Sequence, residues 1–402
     1  MTSTSRVSAN VSHLRDTAKT AKTFLMSVEQ ALKDTAFFDE SLAITTQFIH
    51  AGIRHPDVPS SIYDDYEELH VDKPKKPDFS FIDLFAGIGG FRMALENIGG
   101  AAVFSSEWEK NAKQTYFSNH SEYPFGDINK FTNEDVSDNR LGALLPSHDL
   151  LAAGFPCQPF SLAGVSARNS RGIPHGLECK TQGTLFRSIE RIAQIKQPKV
   201  LLLENVKNIR SHDGGKTFKI IKESIESAGY VFFSEVVNSD TVVPQRRQRC
   251  FMVCVRKDIH QKFGDFVFPS FEGQPLPLSK ILSDSVDERY TISEALWLGH
   301  IARSERNKSR GTGFTTSLAD VSKPSNTIVA RYGKDGKECL IPQPGKMPRT
   351  LSIEECKKLF GLEPSFKLPS AKTVAFKLLG NSVVVPVVQR IAEQVKGQYL
   401  VG

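Results

Sequence analysis

At 402 residues, the chain can bury one large core or a core domain with a smaller companion, and its 40% hydrophobic and 24% charged content excludes a disordered or fibrous chain. No apolar run approaches the roughly 18 residues of a membrane span, and the N-terminus lacks the apolar stretch of a secretory signal. The six cysteines form no C-x-x-C pair, which suits a reducing cytoplasm, and the formal charge of +6 permits a polyanionic partner without pointing to one.

Within the extension at 1–75, residues 1 to about 70 carry helical periodicity (Phe24, Leu25, Val28, Leu32; then Leu42, Ile44, Phe48, Ile49, Ile53), with an acidic stretch from Asp57 to His70 and then the linker Lys73-Pro74-Lys75-Lys76-Pro77. This reads as a helical extension, either a packing or dimerising piece or a helix-turn-helix. The apolar strand Phe79–Phe85 then runs into Ala86-Gly87-Ile88-Gly89-Gly90 and a helical stretch from Arg92 to Ile98. Strand, glycine turn and helix form the nucleotide-binding opening of a doubly wound sheet, where glycine lets the backbone approach a ligand. The next strand, Ala101 to Ser106, ends in Glu107-Trp108. Glu107 stands 20 residues after Gly87, where a carboxylate can accept from ribose hydroxyls. Asp127-Ile128, past a helix from Lys110 to Asn119, is a further candidate contact; Glu107 and Asp127 also read as helix-capping surface acids.

The run His148–Ala153 leads into Gly154-Phe155-Pro156-Cys157-Gln158-Pro159-Phe160-Ser161. Prolines on either side hold Cys157 on a stiff loop past a strand, a suitable geometry for a nucleophile; the plainer reading is a buried small hydrophobe. A polar segment, Gly164 to Gln182, has the composition of a lid. Helix Gly183–Ile195 and strand Val200–Leu203 follow, the strand ending in Glu204-Asn205-Val206. A carboxylate at the end of a fully apolar strand stands where α/β sheets place their chemistry, and burial there raises its pKa; its alternative is a helix N-cap. After helix Gly215–Ser227 and strand Tyr230–Val237, Arg247 and Arg249 alternate at period two as strand Cys250–Val255 begins, which suits a phosphate or a carbonyl oxygen, or a solvated basic edge.

From Lys257 to Pro348 the α/β alternation stops, and short strand-like pieces and prolines take over. Between Arg303 and Lys337 eight Lys/Arg face three Asp/Glu, so about +5 of the chain's charge sits there, a nucleic-acid surface or a merely solvated region. Finally Ser352 and Glu355 have the spacing of a capping box, and Gly380-Asn381-Ser382 precedes a closing helix from Val387 to Lys396.

In chain order, Asp83-Leu-Phe-Ala-Gly-Ile-Gly-Gly90, Gly154-Phe-Pro-Cys-Gln158, Glu204-Asn-Val206, Gln245-Arg-Arg-Gln-Arg249 and Gly380-Asn-Ser382 resemble the motifs of the bacterial DNA (cytosine-5)-methyltransferases. Ser161-Leu-Ala-Gly-Val-Ser166, Thr181-Gln-Gly-Thr-Leu-Phe186 and Ala330-Arg-Tyr-Gly-Lys-Asp-Gly336 look nearest to the Dcm-like branch acting on CC-N-GG-type sites. One departure is Gly361-Leu362-Glu363-Pro364 where the family continues to Gly-Phe-Pro. The resemblance implies an α/β fold. A doubly wound, mostly parallel Rossmann-like sheet at 76–256 has helices on both faces, a smaller irregular β-containing DNA-recognition domain occupies 257–348, and 349–402 returns to the catalytic domain behind the N-terminal extension.

The same resemblance implies S-adenosyl-L-methionine as cofactor, held by Phe85, Gly87, Gly89, Glu107, Trp108, Asp127, Ile128, Pro156, Leu185, Asn381 and Ser382. Cys157 is the implied nucleophile, Glu204 the proton donor to the base, and Arg249 its carbonyl contact, with Arg247 catalytic in support. Gln158, Ser161, Asn205 and Arg331 are implied substrate contacts, and no metal is implied. The expected partner is double-stranded DNA with the target base flipped out, bound by a monomer in the bacterial cytoplasm at the nucleoid. A cognate restriction endonuclease would share the site without direct contact. An RNA methylase on the same fold and a nicotinamide-dependent oxidoreductase are the rivals, the second leaving Cys157 and Glu204 without a task.

Overall fold

The computed structural model describes residues 77–120, 122–156, 183–311, 316 and 318–401. The expected N-terminal extension, the Cys157 loop and the lid-like segment therefore lie outside the described residues.

Six strands make the main sheet: β1 (Phe79–Leu84), β2 (Gly100–Ser106), β3 (Leu150–Gly154), β4 (Val200–Val206), β5 (Tyr230–Asn238) and β6 (Gln248–Arg256), in the order β2-β1-β3-β4-β6-β5. The β1–β2, β1–β3 and β3–β4 pairs are parallel, whereas β6 runs antiparallel to both neighbours. The strands are apolar on both sides because both sides are covered. In β4, Val200 and Leu202 enter one core while Leu201 and Leu203 enter the other. All four are fully buried, and each leucine stabilises the fold by roughly 1.5–3 kcal/mol.

One face packs helix α1 (Gly90–Glu96); the other packs α3 (Gly183–Lys196), through Phe186, Ile189, Ile192 and Ala193, and α4 (Lys216–Ser227), through Ile221 and Ile225. Between them in the chain, α2 (Lys110–His120) follows β2. The order reverses between β1 and β3, the switch point at whose strand ends such sheets bind ligands.

Beyond β6 the first core continues without a break through Leu278, Tyr290, Ile328, Tyr332 and Ile341. This region holds a two-stranded sheet, β7 (Leu340–Gln343) with β8 (Lys346–Thr350), and also a 16-residue helix, α5 (Glu294–Ser309), which the sequence reading missed. Helix α5 buries only His300 and Ser304 completely, so it shows no apolar stripe; Ser293 caps its start by accepting from Leu296 N at 3.3 Å.

The capping box at Ser352 and Glu355 is formed, opening α6 (Ile353–Phe360). Glu355 also takes both terminal nitrogens of the buried Arg349, at 2.8 and 2.9 Å. At the departure from the family pattern, Gly361 closes α6 in a left-handed conformation (φ 68°) while Leu362 N returns to Lys357 O, so the turn terminates the helix without the family's wording. The chain then forms α7 (Lys372–Asn381) and α8 (Val385–Val395). Gly380-Asn381 thus ends one helix rather than simply preceding the next, and α8 begins at Val385 rather than Val387. Segment 372–400 has the length and apolar character of a membrane span, but it is broken at residues 382–384 and most of it is buried in the fold.

Candidate active site

At the carboxyl end of β1 the chain turns through Phe85 and Gly87, both at positive φ (56° and 58°). That turn brings Gly87 N to Glu107 Oε2 at 2.8 Å, while Glu107 Oε1 accepts from Glu109 N at 2.8 Å. Glu107 is buried, and the burial raises its pKa against the pull of these N–H donors. Gly89 stands at φ 88°, and a Cβ there would lie 2.2 Å from His120 Nε2, so any side chain at this position is strained and must displace that ring. Trp108, next to the buried Glu107, is 75% exposed, an unusual state for so large an apolar ring.

The third expected contact rests on a single parallel bridge, Ser106 to Phe125, which extends the β2 edge. Just beyond it Asp127 accepts from Asn129 N and Nδ2 (3.0 and 2.9 Å), and Ile128 is buried.

Phe85, Gly87, Glu107, Trp108, Asp127, Ile128, Pro156, Leu185 and Asn381 line one cleft, which continues to Glu204, Asn205, Arg247 and Arg249. Ser382 is buried behind its neighbour, its carbonyl bonded to Arg247 at 2.6 Å. Gly89 does not line the cleft; its role is the turn. The glycine turn, the paired acceptors and the bare indole fit a nucleoside with a ribose diol and a flat base.

At the other end of the cleft Glu204 pairs in register with Gly154, three residues before Cys157 in sequence. Burial raises the Glu204 pKa, opposed first by Arg249 and then by Arg247. Arg249 Nε lies 3.0 Å from Glu204 Oε1. This contact follows from the antiparallel β6: its first residues meet the last of β4, with Val206 opposite Arg249. Asn205 Nδ2 donates to Phe155 O at 3.3 Å, tying β4 to the start of the cysteine loop. The arrangement sets a carboxyl whose pKa burial raises beside a guanidinium, which suits a proton donor next to a carbonyl-binding group.

Two expectations differ. Arg247 faces the same cleft, but its terminal nitrogens donate to main-chain carbonyls: Ile328 (3.0 Å), Gly380 (3.0 Å) and Ser382 (2.6 Å). This is a cross-link between segments rather than a group aimed at a substrate. Arg331 is exposed, does not line the cleft, and donates to Asp335 at 3.2 Å. Arg303 also reaches Asp335 and Lys323 reaches Asp320, so part of the expected basic surface is neutralised locally; Arg306, Lys308 and Arg310 are exposed at the end of α5. Cys157, Gln158 and Ser161 lie outside the described residues.

The sequence reading passed over Asp83 and the cluster beneath the glycine turn. Asp83 is fully buried in β1, and burial pushes its pKa up to about 8, opposed by Arg92. Arg92 pairs with both Glu96 and Glu122. An aspartate in the middle of an apolar strand was the available signal.

Comparison with known proteins supplies the rest. The family model for C-5 cytosine-specific DNA methylases matches residues 79–397. The chain is similar to the type II methyltransferase M.NlaX of Neisseria lactamica, 44% identical over 79% of this chain and 96% of that protein. It is also similar to the DNA-cytosine methyltransferase of Escherichia coli K12, 37% identical over 82% of this chain and 81% of the other. Among solved structures, the Dnmt2 methyltransferase of S. pombe superposes with a TM-score of 0.59 at 16% identity, covering 79% of this chain and 98% of that one, a likeness of fold alone.

Proposed function

Because the chain belongs to the family of C-5 cytosine-specific DNA methylases, we propose a division of labour in which the β1–β2 end of the cleft binds the cofactor and the β3–β4–β6 end carries the chemistry on the base. The observation that carries this reading is the buried Glu204 carboxyl held against Arg249, at the strand register that leads into Cys157. Family membership makes the enzyme S-adenosylmethionine-dependent. Bound there, the cofactor supplies an electrophilic sulfonium methyl. The residues that would hold it are Glu107 for the ribose, Trp108 for the adenine, and Phe85, Gly87, Asp127, Ile128, Pro156, Leu185 and Asn381 around them. Ser382 supports from behind.

On the base, the Cys157 thiolate adds to carbon 6 of cytosine while neutral Glu204 protonates ring nitrogen 3. The C5=C6 electron pair becomes nucleophilic at carbon 5, which takes the methyl group. Loss of the carbon-5 proton to a base then re-forms the double bond and expels the thiolate, and ring nitrogen 3 returns its proton to the Glu204 carboxylate, which completes the turnover. Arg249 holds the base carbonyl and orients Glu204, with Asn205, Gln158 and Ser161 around the base. None of these atoms is reachable in a duplex, so the cytosine is flipped out at a cost of a few kcal/mol.

Phosphate contacts from 257–348, between the catalytic part at 76–256 and its returning segment 349–402, offset that cost, with Arg331 on the DNA side. The similarity to named type II methyltransferases supports a modification enzyme. In this reading it protects sites from a cognate endonuclease without touching it, as a monomer on DNA in the bacterial cytoplasm. Bisulfite sequencing of host DNA after expression tests the reading. Methylation at carbon 5 of cytosine in one short site is expected, and unmodified DNA overturns it.

A further inference from the structure

We infer that Arg247 is a positioning residue that joins the recognition segment to the cofactor corner, so that occupancy of one is felt at the other. Its guanidinium is buried and takes carbonyls from two distant segments: Ile328 on one side, Gly380 and Ser382 on the other. Its Cζ lies over the Phe360 ring, 5.2 Å from the centroid. Planar, with its donors in a fixed fork, it holds these segments at a set angle that a lysine cannot reproduce.

Gln245, two residues earlier and fully buried, adds a second hold on Ile328 and ties it to α6. Its Oε1 accepts from Ile328 N at 2.8 Å and its Nε2 donates to Leu359 O at 3.1 Å. Main-chain bonds from Arg246 N to Ser325 O and from Ser325 N to Pro244 O complete the attachment. The two segments also touch directly: a Cβ on Gly380 would lie 2.2 Å from Ala330 N and 2.3 Å from Val329 C, both main chain. The corner that carries Asn381 therefore cannot shift without moving 328–330, and Arg331 is the next residue.

The inference rests on the reading that Asn381 and Ser382 form part of the cofactor pocket. Coupling between two sites is reciprocal and typically amounts to about 5–150-fold in affinity. In the unaltered protein, S-adenosylhomocysteine should tighten duplex DNA binding by a factor of that order, and DNA should tighten S-adenosylhomocysteine binding equally. In Arg247→Lys the factor should fall toward one, whatever the loss of S-adenosylhomocysteine affinity without DNA; a purely structural role would weaken both affinities and leave the factor intact.

Hydrogen exchange on the unaltered protein gives a second measurement that needs no variant. The amides of Ile328 and Tyr332 should exchange more slowly with S-adenosylhomocysteine alone. Unchanged exchange together with a parental factor in Arg247→Lys overturns the coupling while leaving the cofactor reading intact. Failure of S-adenosylhomocysteine to bind the unaltered protein overturns both.

Discussion

Two buried glutamates stand at the carboxyl ends of parallel strands, and their surroundings assign them different work. Glu107, after β2, is satisfied by main-chain donors, Gly87 N and Glu109 N, which are fixed by the turn and carry no charge. Glu204, at the end of β4, meets a guanidinium that arrives on an antiparallel strand. Burial raises the pKa of both. Glu107 holds the Gly87 turn in shape, whereas Glu204 has a partner that can stay in place when its proton leaves. A buried carboxyl is thus read by what faces it rather than by burial alone.

The contrast can be broken most forcefully beside Glu204. Cys157→Ser removes the thiolate and little volume, so methyl transfer should vanish while S-adenosylhomocysteine still binds; measurable turnover would remove the covalent route from this end of the cleft.

Glu204→Gln should lower kcat by about 10²–10⁴-fold, the usual worth of general acid assistance, with DNA affinity nearly unchanged and trapping on a 5-fluorocytosine duplex slowed in parallel. Since the neutral acid is the active form, the Glu204 contribution to kcat is present below its raised pKa and lost as pH rises through it. The Gln variant should lack that limb. A defect lying wholly in DNA affinity would make Glu204 an anchor like Glu107.

Glu107→Gln should do the opposite. An amide can accept only one of the two N–H bonds well, and an unpaired buried group costs about 1–3 kcal/mol, so cofactor affinity should fall by roughly 5–150-fold with kcat largely kept. A loss confined to kcat would erase the distinction between the two glutamates.

The smallest effect lies outside both. Arg306→Ala, Lys308→Ala and Arg310→Ala should each reduce the slope of log K for duplex DNA against log salt by about 0.9 where the residue meets a phosphate. Unchanged slopes in all three would move the DNA surface away from the end of α5.

The end of the cleft proposed for the cofactor was legible because its information is local. A strand, a glycine turn and an acid 20 residues on stand within one β-α-β stretch, and the Ser352–Glu355 cap spans four residues. Glu204 was legible as a charge where a strand should have none. The task of Arg247 was not, because its partners are 81, 133 and 135 residues away and are main-chain atoms, which any residue supplies. Helix α5 escaped for a related reason: its contacts are polar, such as His300 Nε2 with Asp335 O at 2.9 Å, and leave no periodic apolar trace.

The exposure of Trp108 makes the protein its own optical instrument. The chain has two tryptophans, and the other, Trp297, is half-buried in α5. A purine stacked on the Trp108 indole would quench its fluorescence and shift the emission to the blue as water leaves the ring. With Trp297→Phe in place, a single emitter would report cofactor arrival and product departure in real time, without label, at the end of the cleft where the ligand is held rather than where it reacts.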